Sequence, residues 1–221
     1  QKFKNNIIFS SFTLIDNFDG TMSKVISNER ATPRLFKNNL LEAFSKVSWY
    51  VPMLLYLPVV AVSLYFSFSS IKFGLVFLFF VAGIFAWTFV EYLLHRFVFH
   101  YEPKSELGQR IHFIFHGVHH SYPRDPLRLV MPPSVSIPLA FFFFYLFKSI
   151  FPDPTHLPFF AGFVLGYVIY DTIHYAVHHF PIRNKLLLKI KTHHMKHHYK
   201  SENSRFGVSS PLWDIIFGTN R

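Results

Sequence analysis

The chain has 221 residues, of which 51% are hydrophobic, 20% aromatic and only 15% charged. A soluble domain carries about 25% charged residues, so there is too little charge here to cover a water-facing surface, and lipid contact is the expected substitute. The net charge of +10 fits nucleic acid, an anionic membrane surface or an acidic partner. The 30 phenylalanines lie mainly in apolar runs rather than in basic stacking motifs, which argues against nucleic acid, and the absence of cysteine excludes disulfides, thiolate nucleophiles and iron–sulfur clusters.

Residues 1–45 are expected to form an N-terminal cytoplasmic or interfacial segment. Short apolar patches, Ile7-Ile8-Phe9 and Phe12-Thr13-Leu14-Ile15, stand in an Asn-, Ser- and Asp-rich background that fits a membrane-lying helix, a strand pair or a linker equally well. Gln1 is not an initiator methionine, so the sequence reads as a fragment, and nothing near it reads as a cleavable signal peptide.

Residues 46–221 carry four apolar runs, each close to the roughly 20 residues that a bilayer core asks of a helix. They cover about 49–68, 73–94, 131–151 and 157–177. Pro52, Pro58 and Pro138 would break soluble helices but are tolerated in membrane ones. Short turns at 69–72 and 152–156 join the runs into two hairpins. Of the 22 Lys and Arg residues only Lys72 and Lys148 lie at the short-turn side, so the positive-inside tendency puts the bulk of the connecting chain in the cytoplasm. The expected fold is all-α and integral to the membrane: four transmembrane helices in two hairpins, with a cytoplasmic helical cap.

Thirteen of the 14 histidines fall in four clusters. The first is His95 and His100; the second is His112, His116, His119 and His120; the third is His174, His178 and His179; the fourth is His193, His194, His197 and His198. Clusters one and three sit where the second and fourth runs leave the membrane, and clusters two and four follow on the same side, so all four can meet just above the bilayer. On a helix, residues i, i+3 and i+4 share a face. His116, His119 and His120 obey that spacing, as do His194, His197 and His198, and His174 and His178 are an i, i+4 pair. His95 and His100 are five apart, about 140° around an α-helix, which predicts that they serve different metals or lie across a helix end.

Ten imidazoles are too many for one ion, so the pattern predicts two ions with about five ligands each. An all-imidazole shell suits zinc, copper, iron or nickel better than magnesium or calcium. Glu91, four residues before His95, and Asp171, three before His174, are the acids available to fix ligand tautomers from outside. His156, His112, His179 and His193 are left out of the set. Spacing alone leaves oxygen activation, hydrolysis and metal transport open. Transport is disfavoured because the run interiors hold almost no ionisable residues, and a zinc-dependent membrane hydrolase would work without dioxygen.

The histidine pattern over four spans resembles the fatty acid hydroxylase superfamily of membrane di-iron enzymes, which also includes sterol desaturases and sterol methyl oxidases. Six stretches carry a closer resemblance to the fatty acid 2-hydroxylases, the sphingolipid or ceramide α-hydroxylases: 87–100, 116–120, 128–133, 166–179, 193–200 and 207–219. The resemblance implies His95, His100, His116, His119, His120, His174, His178, His194, His197 and His198 as metal ligands. It implies two iron ions, which zinc can replace in purified protein because it outcompetes iron(II) for nitrogen sites. It also implies dioxygen as co-substrate, and hydroxylation at carbon 2 of a long-chain acyl lipid, ceramide or fatty acid. No His-Pro-Gly-Gly haem signature is present, so electrons would come from a cytochrome b5-type donor, either a separate carrier or a removed domain. The implied location is the endoplasmic reticulum membrane in a eukaryote or the inner membrane in a bacterium. Tyr170, Tyr175 and Trp213 are candidates for the substrate entrance, and Lys and Arg of 183–205 for headgroup or carrier contacts. A sterol-type enzyme with the same metals is the nearest alternative.

Overall fold

The computed structural model describes residues 26, 27, 30 and 32–221. The expectations for the apolar patches at Ile7–Phe9 and Phe12–Ile15 concern residues outside that range. Among the described residues the regular structure is all helical: α1 (Asn39–Phe44), α2 (Val51–Ser70), α3 (Phe73–Leu93), α4 (Glu106–His112), α5 (Val118–Ser121), α6 (Pro133–Ile150), α7 (His156–His179), α8 (Lys185–Tyr199) and α9 (Leu212–Ile216). Two π-helical turns, Leu94–Phe99 and Phe113–Gly117, extend α3 and join α4 to α5.

Four of these helices, α2, α3 with its π-turn, α6 and α7, are long and apolar enough to cross a membrane, and their ends fall within a few residues of the sequence expectation except that the second continues to Phe99. Proline helps to set where they start. Pro52 and Pro133 occupy the first turns of α2 and α6, where a missing N–H costs nothing. Extended residues at Ile71 and Phe151 end the same helices.

Helix α7 is the most buried of the four, packed by α2, α3 and α6. Each partner turns a narrow stripe toward it. On α3 the stripe is Val76, Gly83, Trp87 and Glu91, one side of the helix at intervals of seven and four residues. Trp87 stands edge-on to Phe163 at 5.1 Å and to Tyr167 at 5.2 Å. The opposite faces carry Leu54, Phe73, Phe77 and Phe141, all largely exposed. Exposed apolar surface on this scale marks contact with lipid rather than with water.

Close approach of α3 and α7 depends on glycine. A Cβ at Gly162 would run into the carbonyl of Phe80 and lie 3.1 Å from the Ile84 nitrogen, and one at Gly83 would meet the Phe159 carbonyl. Backbone cannot yield as a flexible side chain does, and small residues at such crossings let membrane helices touch. Gly162→Val should therefore destabilise the protein by at least the roughly 1–3 kcal/mol typical of overpacking. Thermal unfolding in detergent reads this against Gly74→Ala, where nothing lies within 4 Å; equal melting temperatures for the two variants would refute the close-packing argument.

Residues 32–47 lie on the loop that follows α5. Arg128 donates to Glu42 Oε1 at 2.6 Å and to the carbonyl of Pro33, Thr32 donates to Asp125 at 2.6 Å, and the Val47 amide donates to the Leu127 carbonyl at 2.7 Å. Glu42 also accepts from the amides of Leu35 and Phe36. Burial pushes its carboxyl up, but Lys46, the two amides and Arg128 outweigh that and hold it below the usual carboxylate range. Removing one partner of a buried ion pair costs about 3–5 kcal/mol. Glu42→Ala should accordingly release this segment, read as faster hydrogen exchange at the Leu35 and Phe36 amides; unchanged protection there would show that the pair does not hold it.

Candidate metal centre

Four pieces of chain bring the histidines together: the π-turn after α3, the α4–α5 stretch, the last turns of α7 and the second half of α8. Ten imidazoles form two groups of five. One holds His95, His100, His116, His120 and His197; the other holds His119, His174, His178, His194 and His198; within each, one ring nitrogen per residue lies within 4.8 Å of the others. The groups adjoin, with His120 and His198 stacked across the boundary at 4.2 Å.

His95 and His100 fall in the same group, which corrects the expectation that they serve different metals. The reason is local. Leu94–Phe99 is π-helical, so the His100 amide donates to the His95 carbonyl at 3.2 Å and residues five apart come into register. His100 does stand at the helix end. The two i, i+3, i+4 triplets behave differently again: each straddles the boundary, His119 leaving its partners for the second group and His197 its partners for the first.

The nitrogens facing inward are Nε2. In the first group His95 lies 3.1 Å from His116 and 3.3 Å from His100, His116 lies 3.1 Å from His100, and His120 lies 2.9 Å from His116. In the second, His119 is 3.0 Å from His198 and 3.1 Å from His174, while His194 is 2.9 Å from His178 and 3.0 Å from His198. Several of these atoms carry no proton. His95 and His197 must donate through Nδ1 to the carbonyls of Phe206 and Ser204, at 2.5 and 2.7 Å, and His120 Nδ1 meets the Glu202 carboxylate at 2.9 Å. Their lone pairs therefore converge, an arrangement that repels unless a cation sits between them. Two ligands about 2.1 Å from one ion and at right angles are about 3.0 Å apart. The residues fit a pair of metal ions.

Electrostatics points the same way. Outside the spans, burial, with neighbouring imidazoles in support, pushes His116, His120, His194 and His198 well below the ordinary histidine range. Burial takes His119 to about 3 and His197 to about 2. All six are neutral at physiological pH, the form in which imidazole binds metal.

The four histidines left out of the set lie in neither group. His112 donates to the Phe99 carbonyl at 2.6 Å, His193 pairs with Asp214 at 3.0 Å, His179 stacks on Tyr175, and His156 pairs with Asp153 at the far end of α7.

Neither acid expected to fix tautomers hydrogen-bonds a ligand imidazole among the described residues. Glu91 accepts from the amides of Val208 and Ser209, both at 2.7 Å, and from the Ser209 hydroxyl, so it meets His95 only through the segment that includes Phe206. Asp171 has a buried Oδ2 with no hydrogen-bond partner among the described residues and lines a cavity. Asp214, which sequence reasoning missed, is fully buried and accepts from the amides of Phe206 and Gly207, both at 2.8 Å. Burial raises its carboxyl, yet His193, Thr219 and those amides hold it below the usual range. The signal available was a lone acid between Trp213 and Ile215.

A cavity of about 950 Å³ opens beside the histidines, reached by His116 of one group and by His119 and His174 of the other. It is large for a small-molecule site and mostly apolar, with Leu41 and Phe44 of α1 in its wall. Tyr170 lines it. Tyr175 and Trp213 do not: Tyr175 stacks on Trp49 at 5.6 Å, and Trp213 donates to Thr88 and packs on Phe89.

Comparison with known proteins agrees with this geometry. Residues 80–219 match the fatty acid hydroxylase family. The chain belongs to that family. Among its curated relatives in the family, the ceramide very long chain fatty acid hydroxylase of Schizosaccharomyces pombe is 40% identical over 82% of this chain and 53% of its own length. A dihydroceramide fatty acyl 2-hydroxylase of Arabidopsis thaliana is 37% identical over 98% of this chain and 91% of its own. The rat fatty acid 2-hydroxylase is 40% identical over 84% and 56%. The chain thus spans about half the length of the fungal and rat relatives and nearly all of the plant one. A solved structure of full-length scs7p, in which only the hydroxylase domain is visible, superposes with a TM-score of 0.78 at 38% identity, covering 82% of this chain and 69% of that one.

Proposed function

We propose that this chain is the catalytic unit of a membrane di-iron monooxygenase that hydroxylates carbon 2 of a long-chain acyl group in a ceramide or dihydroceramide. The observation that carries the reading is two groups of five converging imidazoles at the wall of a large apolar cavity. The ten histidines of those groups are the proposed ligands. When bound, the metal pair supplies the activation of dioxygen and the attack on an unactivated C–H bond.

The rest of the work falls to the chain. Neutral, buried imidazoles keep their lone pairs for the metals, and their outer hydrogen bonds hold the rings in place. The cavity binds the acyl tail and excludes water from the reacting carbon. Carbon 2 is bonded to the acyl carbonyl carbon, so presenting it to the cage brings the amide group beside Tyr170 and Asp171. A buried amide needs hydrogen-bond partners, and the Asp171 carboxylate, which lies against the Tyr167 hydroxyl and the Met131 amide, is an acceptor for its N–H.

Orientation and context belong to the same proposal. Residues 46–221 form the four-span catalytic domain, its spans paired as two hairpins, and the described residues before them belong to a segment at the cytoplasmic interface. The histidine cap faces the cytoplasm, supported by Lys72 and Lys148 being the only Lys or Arg residues at the short-turn side. There a cytochrome b5-type donor delivers electrons, with the endoplasmic reticulum as the membrane in a eukaryote.

Mass spectrometry of sphingolipids from a host lacking 2-hydroxylated acyl chains tests the assignment. Expression should add one oxygen atom to the acyl chain at carbon 2. Loss of two hydrogens instead, or an unchanged lipid profile with the protein present in the membrane, would overturn it.

A further inference from the structure

The outer sides of the two histidine groups are built differently. An imidazole bound through Nε2 presents an Nδ1–H outward, and a partner for that proton fixes the ring and makes the nitrogen a better ligand. In the first group at least three rings have such a partner, and these three partners come from one short stretch: Glu202 for His120, the Ser204 carbonyl for His197 and the Phe206 carbonyl for His95. That stretch is itself fixed. Arg205 sits between the two carbonyls in the left-handed region, φ 62°, a conformation non-glycine residues hold only when their surroundings enforce it. Asp214 takes the amides of Phe206 and Gly207, and Glu91 takes those of Val208 and Ser209.

The second group lacks this support. The Nδ1 atoms of His174, His194 and His198 are buried with no hydrogen-bond partner among the described residues, while His178 faces the Pro123 carbonyl. This group also gives two of its five members, His119 and His174, to the wall of the cavity, against one, His116, from the first.

We propose that the two metal positions are unequal: the group of His95, His100, His116, His120 and His197 retains its ion, and the cavity-facing group of His119, His174, His178, His194 and His198 exchanges its ion. The inference rests on the two-metal reading above and adds an order of loading to it. Glu202 is then a positioning residue for the retained ion, acting through His120.

Zinc-loaded full-length chain in detergent, equilibrated with rising chelator and assayed for bound zinc by mass spectrometry, tests this without recourse to activity. Two ions should leave in separate steps at least about tenfold apart in chelator, the scale set by outer hydrogen bonds to ligands. Glu202→Gln should weaken the tight step by about 10–100-fold and leave the easy step where it was. His95→Ala should remove the tight step and His194→Ala the easy one, with circular dichroism checking the fold of each variant. A single step for both ions, a Glu202→Gln effect confined to the easy step, or loss of the tight ion in His194→Ala would overturn the inequality while leaving two metal sites standing. Wild-type protein that takes up no zinc at all would remove the two-metal reading itself, and this inference with it.

Discussion

His119→Ala should reduce 2-hydroxylated product by more than about 100-fold and lower the metal content from two ions per chain toward one. Its Nε2 is 3.0 Å from that of His198 and 3.1 Å from that of His174, so it stands between ligands supplied by two other helices. Removing it leaves four imidazoles in its group and opens space on the cavity side, where the proposed function puts the reacting carbon. Loss of a group that merely orients a ligand already costs about 10–100-fold in metal affinity or activity, so under the proposed function, in which His119 is a ligand at the cavity wall, its loss costs more. The control is His179→Ala. That ring lies outside both groups and stacks on Tyr175 at 4.3 Å, so its variant should keep both ions and nearly full product. Metal analysis and lipid mass spectrometry on the same preparations separate the cases. A His119→Ala protein that keeps two ions and its product would show that this nitrogen ligates nothing.

What the sequence disclosed about this site was whatever a helix repeats locally. His116, His119 and His120, and His194, His197 and His198, are readable because a shared α-helical face needs only spacing, and four runs of apolar residues are readable because a bilayer fixes their length. How a face divides between two ions depends on where its partner helices stand, which no local spacing encodes; hence His119 and His197 each part from their triplet. Of the two expectations for His95 and His100, the helix end holds and the separate metals do not, for a related reason. The α-helical angle was the right calculation for the wrong helix, since the π-turn at Leu94–Phe99 changes the register. Glu91 and Asp171 were chosen for proximity along the chain, yet hydrogen-bond partners come from whatever packs against a residue: Glu91 reaches across to Val208 and Ser209, over a hundred positions away. Ser204 and Phe206 act through backbone carbonyls, for which side-chain identity carries no signal. The α1 wall of the cavity was equally hidden, because Glu42 becomes informative only once Arg128 stands beside it.

The cage should also make the metal-stripped protein unusually sensitive to mild acid. His119 and His197 are pushed by burial to about 3 and about 2, while in the unfolded chain each takes up a proton near pH 6.5. Below about pH 6.5 the unfolded state therefore binds protons that the folded state refuses, and stability falls with pH by about 1.4 kcal/mol per unit for each such group. By pH 5 these two together remove about 4 kcal/mol, a large part of the 5–15 kcal/mol that holds a typical domain. His116, His120, His194 and His198 are shifted in the same direction and steepen the fall. The lowered carboxyls of Glu42 and Asp214 act in another window: their contribution is complete above the ordinary carboxylate range and is lost only as pH drops beneath it, well after the histidines have acted. Bound ions oppose the change, since protons must displace them before the imidazoles can charge. Melting temperatures of chelator-stripped protein in detergent should fall steeply between pH 6.5 and 5, and zinc should move that fall to lower pH. A flat profile across this interval in the stripped protein would mean that the histidines are not held neutral by burial.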